Sequence, residues 1–258
     1  INVAHREPGS PPRPPDPLAS ALMTSKRVLI TGAGRGIGLE LARRFISDGH
    51  EVWGTARQPS PRALGHLGPT GVLTMDLADE ASVISAADAL SREVEGIDLL
   101  INCAGVDARA FGAAPDKRGP FDVAAHIFND VLRINATGPM IVTRELLPLL
   151  RKGDDPLVLN VSSQLGSMHI ASSMGNDTSY CVSKAALNMW SIKAAAELRS
   201  EGIAVVMLHP GWVSSDMGGS AAPMTPAESA DAIADTIGAL SIVDTGRFIR
   251  WDGTDHPW

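Results

Sequence analysis

Tyr180 and Lys184 stand four positions apart in the segment SYCVSKAALNMW, whose apolar residues recur with helical spacing. On a helix, both side chains would leave the same face. A phenol has a pKa of about 10 and is a poor acid or base near neutral pH. Because an ammonium one turn away favours the phenolate and lowers that pKa, the pair predicts acid–base chemistry. The same spacing also occurs on solvent-facing helices, so a second motif is needed to choose between the two interpretations.

The second motif is a glycine-rich loop, TGAGRGIG, at residues 31–38. Apolar and β-branched residues precede it at 27–30 and predict a buried parallel strand, whereas residues 39–46 show helical spacing. Strand, glycine loop and helix in this order form the first unit of a dinucleotide-binding fold, in which glycines let the backbone approach a pyrophosphate at the helix N-terminus. An ordinary glycine-rich turn is the alternative. The glycines with this spacing are Gly32, Gly36 and Gly38.

The two motifs, T-G-x-x-x-G-x-G and Y-x-x-x-K, together resemble the short-chain dehydrogenase/reductase family, and the similarity runs from about Lys26 to Trp258. Within that family, the stretches HPGWVSSDMGG and GRFIRWDGTDHPW resemble the carbonyl-reductase-like branch of C-factor and sniffer proteins. The resemblance implies an oxidoreductase that transfers a hydride reversibly between a nicotinamide cofactor and a small carbonyl or alcohol substrate. It also implies assembly as a homodimer or homotetramer.

Apolar, β-branched runs alternate with segments of helical period through the rest of the chain, which predicts an α/β fold. We expect a Rossmann-like, doubly wound sheet of seven parallel strands with helices on both faces, in a single catalytic domain over residues 23–258. The expected strands are 26–31, 51–55, 71–75, 97–101, 156–161, 203–208 and 246–250. The expected helices are 36–48, 79–94, 121–150, 178–200 and 225–238.

Residues 1–22 differ in composition from the rest of the chain, since they contain several prolines, which break helices and central strands. They have no apolar run of the kind that a secretory signal requires. We expect a flexible, proline-rich leader without a catalytic function, and a proline-rich docking peptide is the alternative.

Composition and charge argue against several classes of protein. The net charge of −7 gives no electrostatic support for binding to nucleic acid. No run of about 18 apolar residues occurs, so we expect no membrane span. The two cysteines, Cys103 and Cys181, suggest no disulfide framework and have no metal-ligand spacing, which predicts a cytoplasmic protein without a bound metal.

The choice of nicotinamide cofactor depends on the charge near the end of the second expected strand. NAD enzymes usually place an acid there to bind the ribose hydroxyls, but residues 52–75 contain none. Arg57 lies just past the strand, and Arg35 lies inside the glycine loop. Guanidinium groups bind a phosphate through paired, charge-assisted hydrogen bonds, so we predict a preference for NADP(H) over NAD(H). The alternative is that both arginines are solvated surface residues.

The resemblance assigns further cofactor contacts to residues at the carboxyl ends of the expected strands. Asp76 and Leu77 would contact the adenine ring, and N-C-A-G at residues 102–105 would lie along the cofactor in a largely structural role. The P-G of the segment HPGWV would lie beside the nicotinamide. The full expected set is Gly32, Arg35, Gly36, Ile37, Gly38, Arg57, Asp76, Leu77, Asn102, Ala104, Gly105, Tyr180, Lys184, Pro210, Gly211, Val213 and Ser215.

The expected catalytic serine follows the fifth strand, which ends in Ser162-Ser163-Gln-Leu-Gly166. The family pattern places the active serine three residues before this glycine, which selects Ser163 and leaves Ser162 as the alternative. A hydroxyl at a strand end can hydrogen-bond a substrate carbonyl and stabilise the charge that develops on its oxygen. The stretch from Ser163 to Tyr180 is longer than in many family members, and we expect the additional residues to shape the substrate pocket.

Asn135, in R-I-N-A-T-G-P, completes the expected catalytic set of Asn135, Ser163, Tyr180 and Lys184. In a regular helix, the carbonyl of Asn135 would accept a hydrogen bond from the amide of residue 139. Residue 139 is proline and has no amide hydrogen, so the carbonyl is left free and the helix should bend. The resemblance implies that a water on this carbonyl connects Lys184 to solvent in a proton relay. The alternative is a bent helix whose asparagine serves packing alone.

The expected reaction follows from these roles. Ser163 and Tyr180 hold the carbonyl, hydride passes from the reduced nicotinamide, and Tyr180 donates the proton. A catalytically silent nucleotide-binding protein of the same fold is the first alternative, although the catalytic residues are all present. A nucleotide-sugar epimerase or dehydratase is the second, although such enzymes have a different glycine spacing and a larger carboxyl-terminal domain.

Overall fold

A computed structural model describes residues 25–57 and 62–258 of the chain. The expected proline-rich leader, residues 1–22, lies outside the described residues. The described residues form the α/β domain that the sequence predicts, with a single sheet at its centre.

Seven strands of the described residues run parallel in one sheet. They are β1 (Arg27–Ile30), β2 (Glu51–Ala56), β3 (Gly71–Thr74), β4 (Leu99–Asn102), β5 (Leu157–Val161), β6 (Ala204–His209) and β7 (Phe248–Arg250). Their order in the sheet is β3-β2-β1-β4-β5-β6-β7, so the direction of winding reverses between β1 and β4. Ligands of such sheets bind at the carboxyl ends of the strands beside this reversal. The predicted doubly wound, Rossmann-like fold is confirmed.

Helices cover both faces of the sheet. They are α1 (Gly36–Ser47), α2 (Arg62–Gly65), α3 (Glu80–Ser91), α4 (Ala125–Leu132), α5 (Gly138–Leu150), α6 (Met168–Ala171), α7 (Thr178–Leu198) and α8 (Pro226–Gly238). Apolar residues of α3, α5 and α7 pack on one face, and those of α1, α2 and α8 pack on the other. Every residue of β5 and β6 is buried as a result, which explains why both read as continuous rather than alternating runs. Among the helices that the structure describes, none is long and apolar enough to span a bilayer.

The helix expected over residues 121–150 is divided by a π-helical turn at Arg133–Thr137. In this turn the amide of Gly138 donates to the carbonyl of Arg133, one residue further back than in an α-helix. Pro139 has no amide hydrogen and cannot donate to the carbonyl of Asn135 as a regular α-helix requires. The predicted disturbance at Asn135 therefore takes the form of a wider turn, after which α5 continues.

Candidate active site

Tyr180 and Lys184 lie one turn apart on α7, as the sequence predicts. Lys184 is buried and Tyr180 is half-buried, and the Nζ of Lys184 lies 5.8 Å from the centre of the Tyr180 ring. The ammonium donates a hydrogen bond to the carbonyl of Val161 at 2.8 Å. Because Val161 is the last residue of β5, this bond fixes the lysine at the carboxyl edge of the sheet.

The two adjacent serines after β5 have different partners. The hydroxyl of Ser162 donates to Oδ1 of Asn188 at 2.6 Å, within the contact between β5 and α7. The Ser163 side chain acts to lower the pKa of the Tyr180 phenol, and its oxygen accepts the amide of Leu165 at 3.1 Å. The structure therefore brings Ser163, and not Ser162, together with the phenol.

Gly166 explains how the end of β5 reaches the helix. A Cβ atom at this position would lie 2.9 Å from Cβ of Lys184 and 3.0 Å from its carbonyl carbon, closer than two packed carbon atoms can approach. A glycine is needed there so that the turn Gln164–Gly166 can lie directly against α7. The spacing from Ser163 to Gly166 thus has a steric cause in the packing of the candidate site.

Asn135 is completely buried and connects two parts of the site. Its side-chain amide donates to the carbonyl of Val106 at 2.7 Å and to the hydroxyl of Ser183 at 3.0 Å, and its Oδ1 accepts the amide of Val106 at 2.8 Å. Ser183 in turn donates to the carbonyl of Tyr180 at 2.7 Å. The side chain is a clamp between the loop after β4 and the helix that carries Tyr180. This leaves the backbone carbonyl as the part of Asn135 that a proton relay would use.

The pKa values of Tyr180 and Lys184 are both shifted, and the shift of Tyr180 is opposite to the one that we expected. Burial raises the pKa of Tyr180 to about 12, with the Asp107 carboxylate adding to the rise and the hydrogen bond with Ser163 opposing it. Burial also lowers the pKa of Lys184 to about 8. The prediction that Lys184 brings the tyrosine pKa below its ordinary value was wrong, because burial of the phenol outweighs an ammonium that points at Val161. At neutral pH the phenol therefore holds its proton.

The glycine loop packs against the segment that follows β4. A Cβ on Gly32 would lie 2.8 Å from Cα of Ala104, and a Cβ on Gly38 would lie 2.5 Å from the carbonyl oxygen of Gly32. Gly32 also has a φ of 70°, which disfavours other residues. The hydroxyl of Thr31 accepts the amides of Cys103 and Ala104 at 3.0 and 3.2 Å, which joins the two segments.

The start of α1 has the features of an anion-binding helix N-terminus. Arg35 precedes the helix with an extended backbone, no side chain caps the first turn, and the first turn contains no acid. The helix dipole and the unpaired amides of such a terminus favour a phosphate group. The residues of the loop therefore fit a dinucleotide.

The two arginines expected at the cofactor's 2′-phosphate differ in their surroundings. Arg57 is exposed directly after β2, and no ion pair to it exists within the residues that the structure describes. Arg35 is exposed too, but its guanidinium forms an ion pair with Asp216 in the loop after β6. Sequence reasoning did not predict this partner.

Several other expected cofactor residues have structural partners. Oδ1 of Asp76 accepts the amide of Ala78 at 2.9 Å, and Leu77 is buried against Gly138. The Asn102 side-chain amide donates to Asn160 at 2.8 Å and to Thr143 at 3.2 Å. The Asn102 side chain thus joins β4 to β5 and α5, in the structural role that we expected.

The loop after β6 holds the remaining expected residues. Gly211 has a φ of 91°, which favours glycine. The carbonyl of Pro210 accepts the hydroxyl of Ser229 at 2.7 Å, Val213 forms a parallel bridge with Met224, and the hydroxyl of Ser215 accepts the amide of Gly218 at 3.1 Å. These contacts build the loop itself.

Asp107 and Arg109 belong to the site but were missed. Asp107 is buried and pairs with Arg109, whose Nε lies 3.0 Å from Oδ2 of the carboxylate. The guanidinium also donates to the carbonyl of Met217 at 2.5 Å. The available signal was a pair of opposite charges two positions apart, which begins two residues after N-C-A-G in a stretch without periodicity. Within residues 25–57 and 62–258, no group of three or more side chains could hold a metal ion.

Known proteins are similar to this chain in sequence and fold. A model of the short chain dehydrogenase family matches residues 26–225. C-signal from Myxococcus xanthus is 39% identical over 164 residues, which cover 63% of this chain and 93% of that protein.

Two solved structures are similar over nearly the whole chain. The NADPH-bound carbonyl reductase from chicken fatty liver has a TM-score of 0.82 and 30% identity, and the match covers 92% of this chain and 100% of that one. The carbonyl reductase Sniffer of D. melanogaster has a TM-score of 0.81 and 29% identity, and the match covers 91% of this chain and 100% of that one. The predicted similarity to the carbonyl-reductase branch is confirmed.

Proposed function

Because the chain belongs to the short-chain dehydrogenase family, it is an oxidoreductase, and we propose that it uses NADP(H) to interconvert a carbonyl and an alcohol. When bound, the cofactor supplies or accepts the hydride. The remaining steps fall to the protein, which has to bind the two reactants, orient them and move one proton.

Binding of the cofactor is assigned to the glycine loop and to the two arginines. The amides at the start of α1 suit the pyrophosphate, since no acid or side-chain cap competes for them. Arg57 and Arg35 suit the 2′-phosphate, because guanidinium groups bind phosphate by charge-assisted hydrogen bonds. The NADPH-bound relative with 30% identity supports this choice of cofactor.

Tyr180 acts as the proton donor in the direction of reduction. Its pKa of about 12 keeps the phenol protonated near neutral pH, so the group is ready to give up a proton to an alkoxide. The Ser163 hydroxyl, which opposes the rise in the pKa of the same phenol, stabilises the charge on the substrate oxygen. In the reverse direction Tyr180 would have to lose its proton first, which the raised pKa disfavours.

Lys184 and Asn135 support the donor. The Lys184 ammonium stabilises negative charge on Tyr180 after the proton has left. The backbone carbonyl of Asn135, which Pro139 leaves without a regular helical donor, holds the water through which the proton is replaced. The side chain of Asn135 keeps the loop after β4 in contact with the helix that carries both groups.

The substrate is expected to be a small carbonyl compound with an apolar part. Three apolar side chains near the loops after β5 and β6 are exposed, with 72% of Met168, 47% of Met174 and 51% of Trp212 accessible to solvent. Exposed apolar side chains of this size commonly mark a binding surface. Methionines also adapt to ligands of different shape.

The single observation that carries the proposal is the placement of Tyr180 and Lys184 one turn apart on α7, with the Lys184 ammonium bonded to Val161 at the end of β5, two residues before Ser163. The test is NADPH consumption by the purified chain with a panel of aldehydes, ketones and quinones, repeated with NADH. Turnover of at least one substrate that is faster with NADPH supports the proposal. Cofactor binding without turnover of any substrate would instead favour a catalytically silent nucleotide-binding protein.

We also propose that the chain assembles as a homodimer or homotetramer through α5 and α7. A groove of about 340 Å³ lies between the two helices, lined by residues that include Met140, Leu147, Trp190 and Ala194. Met189, on the same helix as Trp190, is exposed. Light scattering of the wild type and of Leu147→Glu would test this, since a charge in a buried interface should dissociate the assembly.

We also propose a cytoplasmic location, on the basis of the two cysteines. Cys103 and Cys181 are free thiols in the structure. Thiols without disulfide partners are usual in a reducing compartment.

A further inference from the structure

The loop after β6 has a fixed base and a separate tip. At the base, Val213 and Met224 form a parallel bridge, and the amide of Ser214 donates to the carbonyl of Met224 at 2.8 Å. At the tip, the amide of Gly219 donates to the carbonyl of Ser215 at 2.9 Å, which closes a turn of its own. The tip is therefore a turn of its own, which is joined to the base by contacts that include the hydrogen bond from the Trp212 indole to the carbonyl of Gly218 at 2.9 Å.

Two arginines from other loops hold the tip at adjacent residues. Arg109, after β4, donates to the carbonyl of Met217 and is itself paired with Asp107. Arg35, in the glycine loop, forms an ion pair with Asp216. Asp216 is the only acidic partner of Arg35 among the residues that the structure describes.

Arg35 thus has two competing roles, because it is also one of the two cations assigned above to the 2′-phosphate. We propose that Asp216 is a specificity-determining residue for the cofactor: its carboxylate occupies Arg35 until the 2′-phosphate of NADP(H) replaces it, and the exchange removes one of the contacts that hold the loop tip. This inference rests on the proposed function, in which Arg35 binds NADP(H).

A carboxylate and a phosphate are alternative partners for one guanidinium, since both accept the same paired hydrogen bonds. The phosphate prevails because a phosphate monoester carries about −1.5 to −2 charges near pH 7, against one for the carboxylate. The competition is modest, because 69% of the Arg35 side chain and 80% of the Asp216 side chain are exposed. Removing the charge of Asp216 should tighten ligands with a 2′-phosphate about two- to fivefold at low salt, and less at high salt.

The competition also makes the contacts of the loop tip depend on which cofactor is bound. A ligand without a 2′-phosphate offers Arg35 no anion at that position and leaves the pair with Asp216 intact. The tip then stays held by both arginines. A ligand with the phosphate removes the Arg35 contact and leaves the tip held by Arg109 at Met217 and by the Trp212 indole, which donates to the carbonyl of Gly218 at 2.9 Å. The tip is then held less firmly when the preferred cofactor has bound.

The test uses adenosine 2′,5′-bisphosphate and 5′-AMP as probes, with titration calorimetry on the full chain. Asp216→Asn should bind the bisphosphate about two- to fivefold more tightly and leave 5′-AMP unchanged. Asp231→Asn is the matched control, since Asp231 is an exposed acid that pairs with Arg44 at the other end of α1, 3.2 Å away. In an Arg35→Met background, Asp216→Asn should have no effect, because the residue for which the two anions compete is gone.

The second measurement is amide hydrogen exchange of residues 214–219. The bisphosphate should speed exchange at the tip of the wild-type loop, 5′-AMP should not, and Asp216→Asn should exchange quickly without any ligand. Unchanged or weaker bisphosphate binding in Asp216→Asn overturns the inference. If Arg35→Met still weakens the bisphosphate in that case, the proposed cofactor preference stands. If Arg35→Met has no effect on the bisphosphate, both the inference and the assignment of Arg35 to NADP(H) are wrong.

Discussion

The Nζ atom of Lys184 lies 5.8 Å from the centre of the Tyr180 ring, on the next turn of the same helix. Its hydrogen bond to Val161 ties that turn to the end of β5, from which Ser163 follows two residues later. The proposed donor, its cation and its hydroxyl partner therefore come from two packed elements of the core. Their arrangement does not depend on the loops that surround the substrate, so the site can be tested one group at a time.

The two serines after β5 should separate catalysis from stability. Ser163→Ala removes the hydroxyl beside Tyr180, and we expect kcat/KM to fall by about 100-fold or more with little change in stability. Ser162→Ala leaves Oδ1 of the buried Asn188 without its donor, and we expect a loss of about 1–3 kcal/mol in the free energy of unfolding. Steady-state kinetics and urea denaturation of both variants measure these effects. If Ser162→Ala lost activity and Ser163→Ala did not, the assignment of Ser163 as the active serine would be wrong.

Pro139→Ala should reduce turnover without destabilising the chain. Alanine restores the amide that a regular helix would use to bond the carbonyl of Asn135, and thereby removes the acceptor of the proposed water. We expect kcat to fall by about tenfold or more and stability to stay equal or rise. Pro148→Ala is the control, since Pro148 is an exposed proline further along α5. Equal kinetics for the two variants would rule out a relay through Asn135.

The raised pKa of the phenol can be read directly, because Tyr180 is the only tyrosine in the chain. With a pKa of about 12 in the folded chain and about 10 when unfolded, tyrosinate absorbance should stay absent above pH 10 for as long as the chain is folded. The unfolded chain loses this proton first, so between these two pH values the residue destabilises the fold as the pH rises. A tyrosinate signal that appears below pH 10 without unfolding would contradict the assignment of burial as the dominant cause.

Arg57→Ala should weaken NADPH and not NADH. In the proposed complex the Arg57 guanidinium bonds the 2′-phosphate, which NADPH carries and NADH lacks. We therefore expect the KM for NADPH to rise about tenfold or more while the KM for NADH changes little. Arg62→Ala is the matched control, because Arg62 is exposed at the start of the next helix. Equal changes for both cofactors would mean that Arg57 does not contact the 2′-phosphate.

The fold could be predicted, and the candidate catalytic residues could be chosen, because their signals are local. The apolar runs gave the order of strands and helices, and Gly32, Gly38 and Gly166 stand where the structure leaves no room for a side chain. Pro139 predicted a disturbed helix, since the missing amide is a property of the residue itself. The sequence left the choice between Ser162 and Ser163 open, because the choice depends on the partners of the two hydroxyls in the folded chain. The Ser162 hydroxyl bonds Asn188, whereas Ser163 acts on the phenol of Tyr180.

The properties that sequence reasoning missed depend on residues far apart in the chain. Arg35 and Asp216 form their ion pair across 181 positions, and no periodicity connects them. The pKa shift of Tyr180 was predicted in the wrong direction, because the local argument considered the charge of Lys184 and not the burial of the ring. Asp107 and Arg109 were missed because only the folded loop shows that Arg109, paired with Asp107, meets Met217.

The most direct test of the account compares NADPH binding and carbonyl turnover in Tyr180→Phe, a variant that lacks only the phenol oxygen. The account predicts that turnover falls by about 100- to 10,000-fold while the affinity for NADPH, followed by its fluorescence, stays within a few-fold of the wild type. Turnover close to that of the wild type would contradict the assignment of Tyr180 as the proton donor.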